Sequence, residues 1–251
     1  MAALAWRCQS LGLRTYRPAI SSFGPQGINS VAAVRELADL IALLPGLTGD
    51  PGIILAGHSA GAAVAAQMSG RLASLGIRMA GLLFIDGVDN RAGMVRHMVV
   101  DGAVPPWPRV LLVDAEPSRC NRRGALSRLL LERVPVVGGW RVRGAGHGDV
   151  ERWVPGAPGV PTGPGSAARA RPPLAYRLAC GDSGHVDVAA TVQALAAAGA
   201  AAMAVAGIRG EAWRGAELTA IRVAALHGTD AGVEGSESSV TTLLPGSARG
   251  R

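Results

Sequence analysis

Through the first 155 residues, short unbroken apolar runs alternate with stretches whose apolar positions recur every three to four residues. Unbroken runs suit strands buried on both faces and the amphipathic stretches suit helices packed over them, so the alternation predicts a parallel sheet with helices on its faces. The expected strands are Leu13 to Ile20, Gly52 to Ala56, Ala80 to Ile85, Val110 to Val113 and Trp140 to Arg143. Ser30 to Leu44 places Val31, Val34, Leu37, Ala38 and Ile41 on one helical stripe; Asn29 or Ser30 caps its start, and Gly46 and Pro51 stop it. Ala60 to Leu75 is helical by spacing and composition and ends at Gly76.

The pattern then changes. Pro155 to Pro173 carries four Pro and four Gly up to Ser166, which predicts a loop or linker. Asp187 to Ala198 predicts one more helix, in an Ala-rich amphipathic run that fades into a loop around Gly199 and Gly207. Glu217 to Leu226 predicts a short helical turn or two, whereas GTDAGVEGSESS from Gly228 and the closing SARGR have the composition of disordered chain. The expected organisation is one doubly wound α/β domain over residues 1–205, with the Pro/Gly-rich loop at 155–173, and a low-complexity disordered tail over 206–251.

Composition narrows the classes. With 251 residues, 49% hydrophobic and 17% charged, the chain can bury one sizeable core. Its 25 basic residues, all Arg, exceed 18 acidic ones to give +7, but they are scattered. The densest groups, Arg119/Arg122/Arg123 and Arg169/Arg171/Arg177, carry one aromatic between them, Tyr176, so no nucleic-acid partner is expected. No apolar run has the length of a membrane span, and Met1 to Arg14 lacks the basic-then-apolar order of a signal peptide. A cytoplasmic protein is the default expectation, a secreted one if the amino terminus is incomplete. Cys8, Cys120 and Cys180 show no C-x-x-C spacing, so buried free thiols are expected and no metal site or cofactor is implied.

The informative string is Gly57-His58-Ser59-Ala60-Gly61. It follows the apolar run Ile53 to Ala56 and leads into the expected helix, which is the strand-turn-helix that a nucleophile elbow requires. Such a tight turn calls for Gly57 and Gly61 without side chains; it exposes the Ser59 hydroxyl and aims the Ala60 backbone N–H at a developing oxyanion. His58 should point away. A serine hydroxyl needs a base at pH 7, and His147 in Gly144-Ala145-Gly146-His147-Gly148-Asp149 follows another strand, so a parallel sheet brings it to the same edge. His97, His185 and His227 follow no expected strand. For the carboxylate that orients the imidazole, Asp86 at the end of Ala80 to Ile85 is the first choice, Asp114 or Glu116 after Val110 to Val113 the main rival, and Asp89 a weaker third. Gly181-Asp182-Ser183-Gly184 is a decoy of the chymotrypsin-like protease nucleophile, without the following Gly-Pro or the many short strands.

The order of GHSAG, FIDGVDN, LLVDAEPSRCN and GAGHGDVE resembles the α/β-hydrolase fold, and within it the chlorophyllase-like and cutinase-like carboxylic ester hydrolases. That group has a GHSxGG elbow followed by a strand ending in LDPVDG, whose first Asp is the triad acid. Phe84 to Asp89 matches it with Gly87 in place of Pro, so the resemblance favours Asp86 over Asp114; the family's GHxD matches Gly146 to Asp149. It also implies a small-molecule ester substrate, no cofactor, and a Cys120–Cys180 disulfide like the one that pins the last helix in secreted relatives. The fold normally has three strands before the helix matched by Met1 to Leu11, and the loop after the third supplies an oxyanion donor. The resemblance therefore implies an amino-terminally shortened hydrolase with a full triad and reduced activity. A non-catalytic hydrolase-like module, an acyltransferase or lactone hydrolase on the same fold, and a basic binding module are the other readings. Substrate identity and oligomeric state are not encoded legibly.

Overall fold

Every residue of Met79–Ile85 is buried, and alternate side chains enter different cores: Leu82 and Phe84 face one, Leu83 and Ile85 the other. A strand covered on both faces needs helices on both faces, and that sets the architecture. The computed structural model describes residues 2–17, 31–44, 52–89, 93–100, 107–151, 180, 185–206, 212–227 and 240–244.

The described strands are β1 (Ile53–His58), β2 (Met79–Ile85), β3 (Val110–Asp114), β4 (Val137–Val142) and β5 (Val240–Leu243), in the spatial order β1-β2-β3-β4-β5. The first four are parallel, with Ala56 opposite Leu83 and Leu83 opposite Leu111, and β5 pairs antiparallel with β4. One face is covered by α2 (Val31–Ala42), α3 (Gly61–Ser74), α4 (Met94–Val100) and α5 (Ala125–Arg133), which contribute Val34, Ala62, Ala66, Val95 and Leu130 to its core. The other is covered by α1 (Ala2–Ser10), α6 (Val186–Ala206) and α7 (Gly215–His227) around Leu4, Leu195, Met203 and Trp140.

Several expectations shift. Leu13 to Arg17 is irregular rather than strand: Gly12 at φ +82° ends α1, and the Leu13 N–H is taken by the Cys8 carbonyl at 3.0 Å, so this chain closes the helix and joins no ladder. Residues 18–20, the caps Asn29 and Ser30, and the 155–173 linker lie outside the described residues. The helix expected to fade near Gly199 continues to Ala206 and is buried nearly all round, including Gln193 and Gly199. A Cβ at Gly199 would come within 2.0 Å of Leu111 Cδ2, so this glycine lets the helix lie close against the sheet. By length and hydropathy α6 could cross a membrane, but 67% of its apolar window is buried inside the protein, as in a core helix.

The segment expected to be a disordered tail contains two ordered elements: α7, which extends the helical turn that the spacing predicts over Glu217 to Leu226, and β5, which the composition does not suggest. The segment's composition is diluted by Gly and Ala, yet Trp213, Leu218, Val240 and Leu243 are buried. Glu217 receives two hydrogen bonds from Arg109, whose guanidinium stacks 4.4 Å from the Trp213 ring centre, and Trp213 Nε1–H donates to the Val110 carbonyl at 2.9 Å. These contacts fasten α7 to the start of β3.

Candidate active site

The sharp turn between β1 and α3 holds Ser59 at φ 55°, a left-handed conformation that costs a side-chain-bearing residue about 1–2 kcal/mol. Backbone bonds hold it there: Ser59 N–H donates to the Ile85 carbonyl at 3.2 Å, and its own carbonyl accepts from Val88 N–H at 2.9 Å and Ala62 N–H at 3.1 Å. A Cβ at Gly57 would stand 2.2 Å from the Gly61 carbonyl oxygen, so only glycine fits. Gly61 differs from expectation, because a Cβ there meets nothing within 4 Å. The squeeze falls on the strand side of the turn alone. Ala60, the residue before α3, has helical φ and ψ of −61° and −19°, and its N–H makes no backbone hydrogen bond among the described residues.

His147 stands in the loop after β4. Asp149 closes that loop on itself, its Oδ2 accepting from Gly146 N–H at 2.6 Å and its N–H donating to the Gly146 carbonyl at 3.1 Å. His147 N–H donates to the Cys180 carbonyl at 3.1 Å. Thus fixed, the imidazole Nε2 lies 2.9 Å from Ser59 Oγ, 88 residues away in sequence, and Nδ1 lies 2.5 Å from Asp86 Oδ2. An ionised carboxylate only accepts, so the proton sits on Nδ1 and Nε2 is left to accept from the serine hydroxyl. His147 and Asp86 are 5% and 4% exposed, so water competes little for either bond.

Asp86 follows β2 at φ 43°, with its N–H donated to the Val113 carbonyl at 2.9 Å. Its Oδ1 accepts from Ala115 N–H at 3.1 Å and from Asn121 Nδ2 at 2.9 Å. The three other candidate carboxylates point elsewhere. Asp114 ends β3 and accepts from Ser127 Oγ at 2.8 Å, with Arg141 Nη2 at 3.7 Å, an ion-pair distance too long for a hydrogen bond. Burial, then the charge of Asp86, pushes its carboxyl up to about 7, against the opposing pull of Ser127 and Arg141. Glu116 is exposed and accepts from Gly144 N–H at 3.1 Å, tying the β3 loop to the histidine loop. Asp89 caps α4, accepting from Val95 and Arg96 N–H at 2.9 and 3.0 Å.

Sequence reasoning missed two contributors. His58 does not point away: its Nε2 lies 2.8 Å from the His147 carbonyl oxygen, where only an Nε2–H can bond, and the two rings are 4.8 Å apart. Asn121 lay unassigned in LLVDAEPSRCN and sits behind Asp86. Cys120 and Cys180 form a disulfide, against the free thiols that spacing suggested and as the family resemblance implied, while Cys8 stays free and buried with its thiol raised to about 11 by that burial.

A hydroxyl on a strained elbow, an imidazole with its acceptor nitrogen facing it, and a buried carboxylate on the other ring nitrogen are the parts that acyl transfer requires. Neither a curated protein nor a solved structure matches the chain. A model of the alpha/beta hydrolase family matches residues 2–229, from α1 through the end of α7. With the mostly parallel, helix-flanked sheet and the turn at Ser59, that match establishes that the chain belongs to the alpha/beta hydrolase family, with the hydrolase type of function this entails.

Proposed function

We propose that the protein is a serine hydrolase that cleaves a carboxylic ester through an acyl-enzyme, with Ser59 as nucleophile, His147 as general base and then acid, Asp86 as the orienting carboxylate, and the Ala60 N–H as an oxyanion donor. The observation that carries this reading is the 2.9 Å approach of Ser59 Oγ to His147 Nε2 at a left-handed turn. In the first half-reaction Ser59 Oγ bonds to the acyl carbon while His147 Nε2 takes its proton. The imidazolium so formed keeps its Nδ1–H on Asp86, and the tetrahedral oxygen carries its charge toward the start of α3, where one donor contributes about 3 kcal/mol. Collapse breaks the ester C–O bond and His147 returns the proton to the leaving alkoxide. Water then attacks the acyl carbon with His147 again as base, and Ser59 regains its proton as the acid leaves.

The choice of a carboxylic ester rests on the order of GHSAG, FIDGVDN and GAGHGDVE, which resembles chlorophyllase-like and cutinase-like hydrolases. A small-molecule ester is the proposed substrate.

The test is labelling with a fluorophosphonate probe, the modified residue being mapped by mass spectrometry, alongside hydrolysis of p-nitrophenyl esters of graded acyl length. Labelling at Ser59 that Ser59→Ala and His147→Ala both abolish, together with ester turnover, is the expected result. A folded wild-type sample that takes no label overturns the reading. Acyl transfer to added alcohol that outcompetes water would replace the hydrolase by an acyltransferase.

A further inference from the structure

The carboxylate of Asp86 is held on both sides. Its Oδ2 meets His147, and its Oδ1 is met by one backbone donor, Ala115 N–H, and one side-chain donor, Asn121 Nδ2 at 2.9 Å. Asn121 is 1% exposed and its amide is fully used. Nδ2 donates to Asp86 Oδ1 and to the Glu116 carbonyl at 2.8 Å, and Oδ1 accepts from Ser118 N–H at 2.8 Å and Gly124 N–H at 3.1 Å. A flipped amide would set oxygen against two acceptors and NH2 against two donors, so the network fixes which end faces Asp86.

From this geometry we propose that Asn121 is a positioning residue of the active site, which holds the Asp86 carboxylate in the plane that faces His147 and solvates its charge with a neutral donor. The proposal rests on the triad reading given above. A neutral donor suits the place. An Arg or Lys there would draw off the negative charge that the imidazolium needs, and an apolar residue would leave Oδ1 under-solvated beside the buried Asp114. Asn121 is itself anchored from outside, since its neighbour Cys120 is bonded to Cys180, whose carbonyl holds the His147 backbone. The supports of the acid and of the base therefore converge on one bridge.

Asn121→Asp is the informative variant because it is isosteric and keeps the oxygen that accepts from Ser118 and Gly124. It replaces the amide donor by a carboxyl, so that two carboxyl groups share one site and one proton. While the new carboxyl is protonated, its O–H donates to Asp86 as the amide did; once it ionises, the donor is gone and like charges face each other. Beside Asp86 itself, Asp114, Glu116, Arg141 and His147 are titratable or charged side chains around this carboxylate, Arg119, Arg122 and Arg123 flank Asn121 on its own loop, and all of them are unchanged in the variant. The expected result is an ester hydrolysis kcat within about threefold of wild type near pH 6 and at least about tenfold lower at pH 9, with KM changed less than about twofold. A role confined to loop structure would scale the profile by one factor at every pH. Asn121→Ser, which cannot reach Asp86, is expected to lose about tenfold in kcat without that pH dependence.

Both variants are compared with wild type by circular dichroism and thermal melting, and by the rate of fluorophosphonate labelling at Ser59, which reads the site even if the ester is a poor substrate. A wild-type protein without label overturns the triad reading itself. A labelled wild type with Asn121→Asp equally active across the pH range, or reduced by a constant factor, overturns the assignment of Asn121 alone. Should Asn121→Asp melt out, a folded Asn121→Ser with unchanged kcat overturns it as well.

Discussion

Asp86 Oδ2 lies 2.5 Å from His147 Nδ1, although Asp114, at the end of the neighbouring strand, is equally buried and was the main rival for that contact. The difference is one of direction. Asp86 leaves β2 in a left-handed turn that brings its carboxylate toward the histidine loop, whereas Asp114 is still a strand residue and its side chain meets Ser127 of α5 and Arg141 of β4. Replacing Asp86 by Asn tests which of the two is coupled to catalysis. The amide keeps the volume but offers NH2 where Nδ1–H must donate, or binds the tautomer whose Nε2 carries the proton and cannot receive one from Ser59. The expected loss is about three to four orders of magnitude in kcat with the melting temperature little changed. Ester hydrolysis and a thermal melt on the same sample check it, and near-normal turnover would remove Asp86 from the site.

The elbow yields an asymmetric prediction. Gly57→Ala must displace the Gly61 backbone, which a Cβ would approach to 2.2 Å, so the variant is expected to lose labelling at Ser59 altogether. Gly61→Ala places its methyl in open space in the first turn of α3, where Ala is the better helix former by about 1 kcal/mol. It is expected to label as wild type does and to melt at the same or a slightly higher temperature. Equal sensitivity of the two positions would show that the turn tightens on binding around both.

How much of this was legible depended on whether the signal was local. Unbroken apolar runs located β1 to β4 to within a few residues, most closely β2 and β3, which are buried on both faces and have no polar alternative. Ser59 and His147 were legible as strand-end residues of a parallel sheet. Asp86 stood first on strand position, but Asp114 and Glu116 stayed rivals because they too follow a strand at the same edge; the motif resemblance added weight to Asp86. Asn121 and His58 were invisible as contributors because their roles lie in contacts 35 and 89 residues away in sequence. For α7 the helical turn over Glu217 to Leu226 was legible and only its fastening was hidden, because the Arg109–Glu217 pair spans 108 residues; VTTL has the β-branched residues of a strand, but its pairing with β4 lies about a hundred residues away and four residues are too few to stand out between Gly- and Ser-rich stretches.

The disulfide carries a prediction for both stability and activity. Cys120 and Cys180 are 60 residues apart, and a cross-link closing a loop of that size removes about 4 kcal/mol of unfolded-state entropy in the chain-entropy model. Reduction, or Cys120→Ser with Cys180→Ser, is expected to lower the melting temperature by several degrees or more. It also frees the Cys180 carbonyl that holds His147 N–H, so kcat is expected to fall in the fraction that remains folded. Thiol titration of denatured, unreduced protein gives the control: one free thiol, Cys8, is expected, and three would remove the bridge.

Asp114 makes stability depend on pH in a definite sense. Its carboxyl is raised from 3.8 in the unfolded chain to about 7 in the fold, chiefly by burial and then by the Asp86 charge. Between those two values the native state binds more protons than the unfolded state, so stability falls as pH rises from about 4 through about 7 and changes no further on this account above it. Asp114→Asn removes the ionisation while its amide oxygen still accepts from Ser127 Oγ. The variant is therefore expected to gain on wild type as pH rises, with a melting-temperature difference more positive at pH 8 than at pH 5. Paired melts across that range check it, and a difference independent of pH would mean that Arg141, 3.7 Å away, already holds Asp114 ionised throughout.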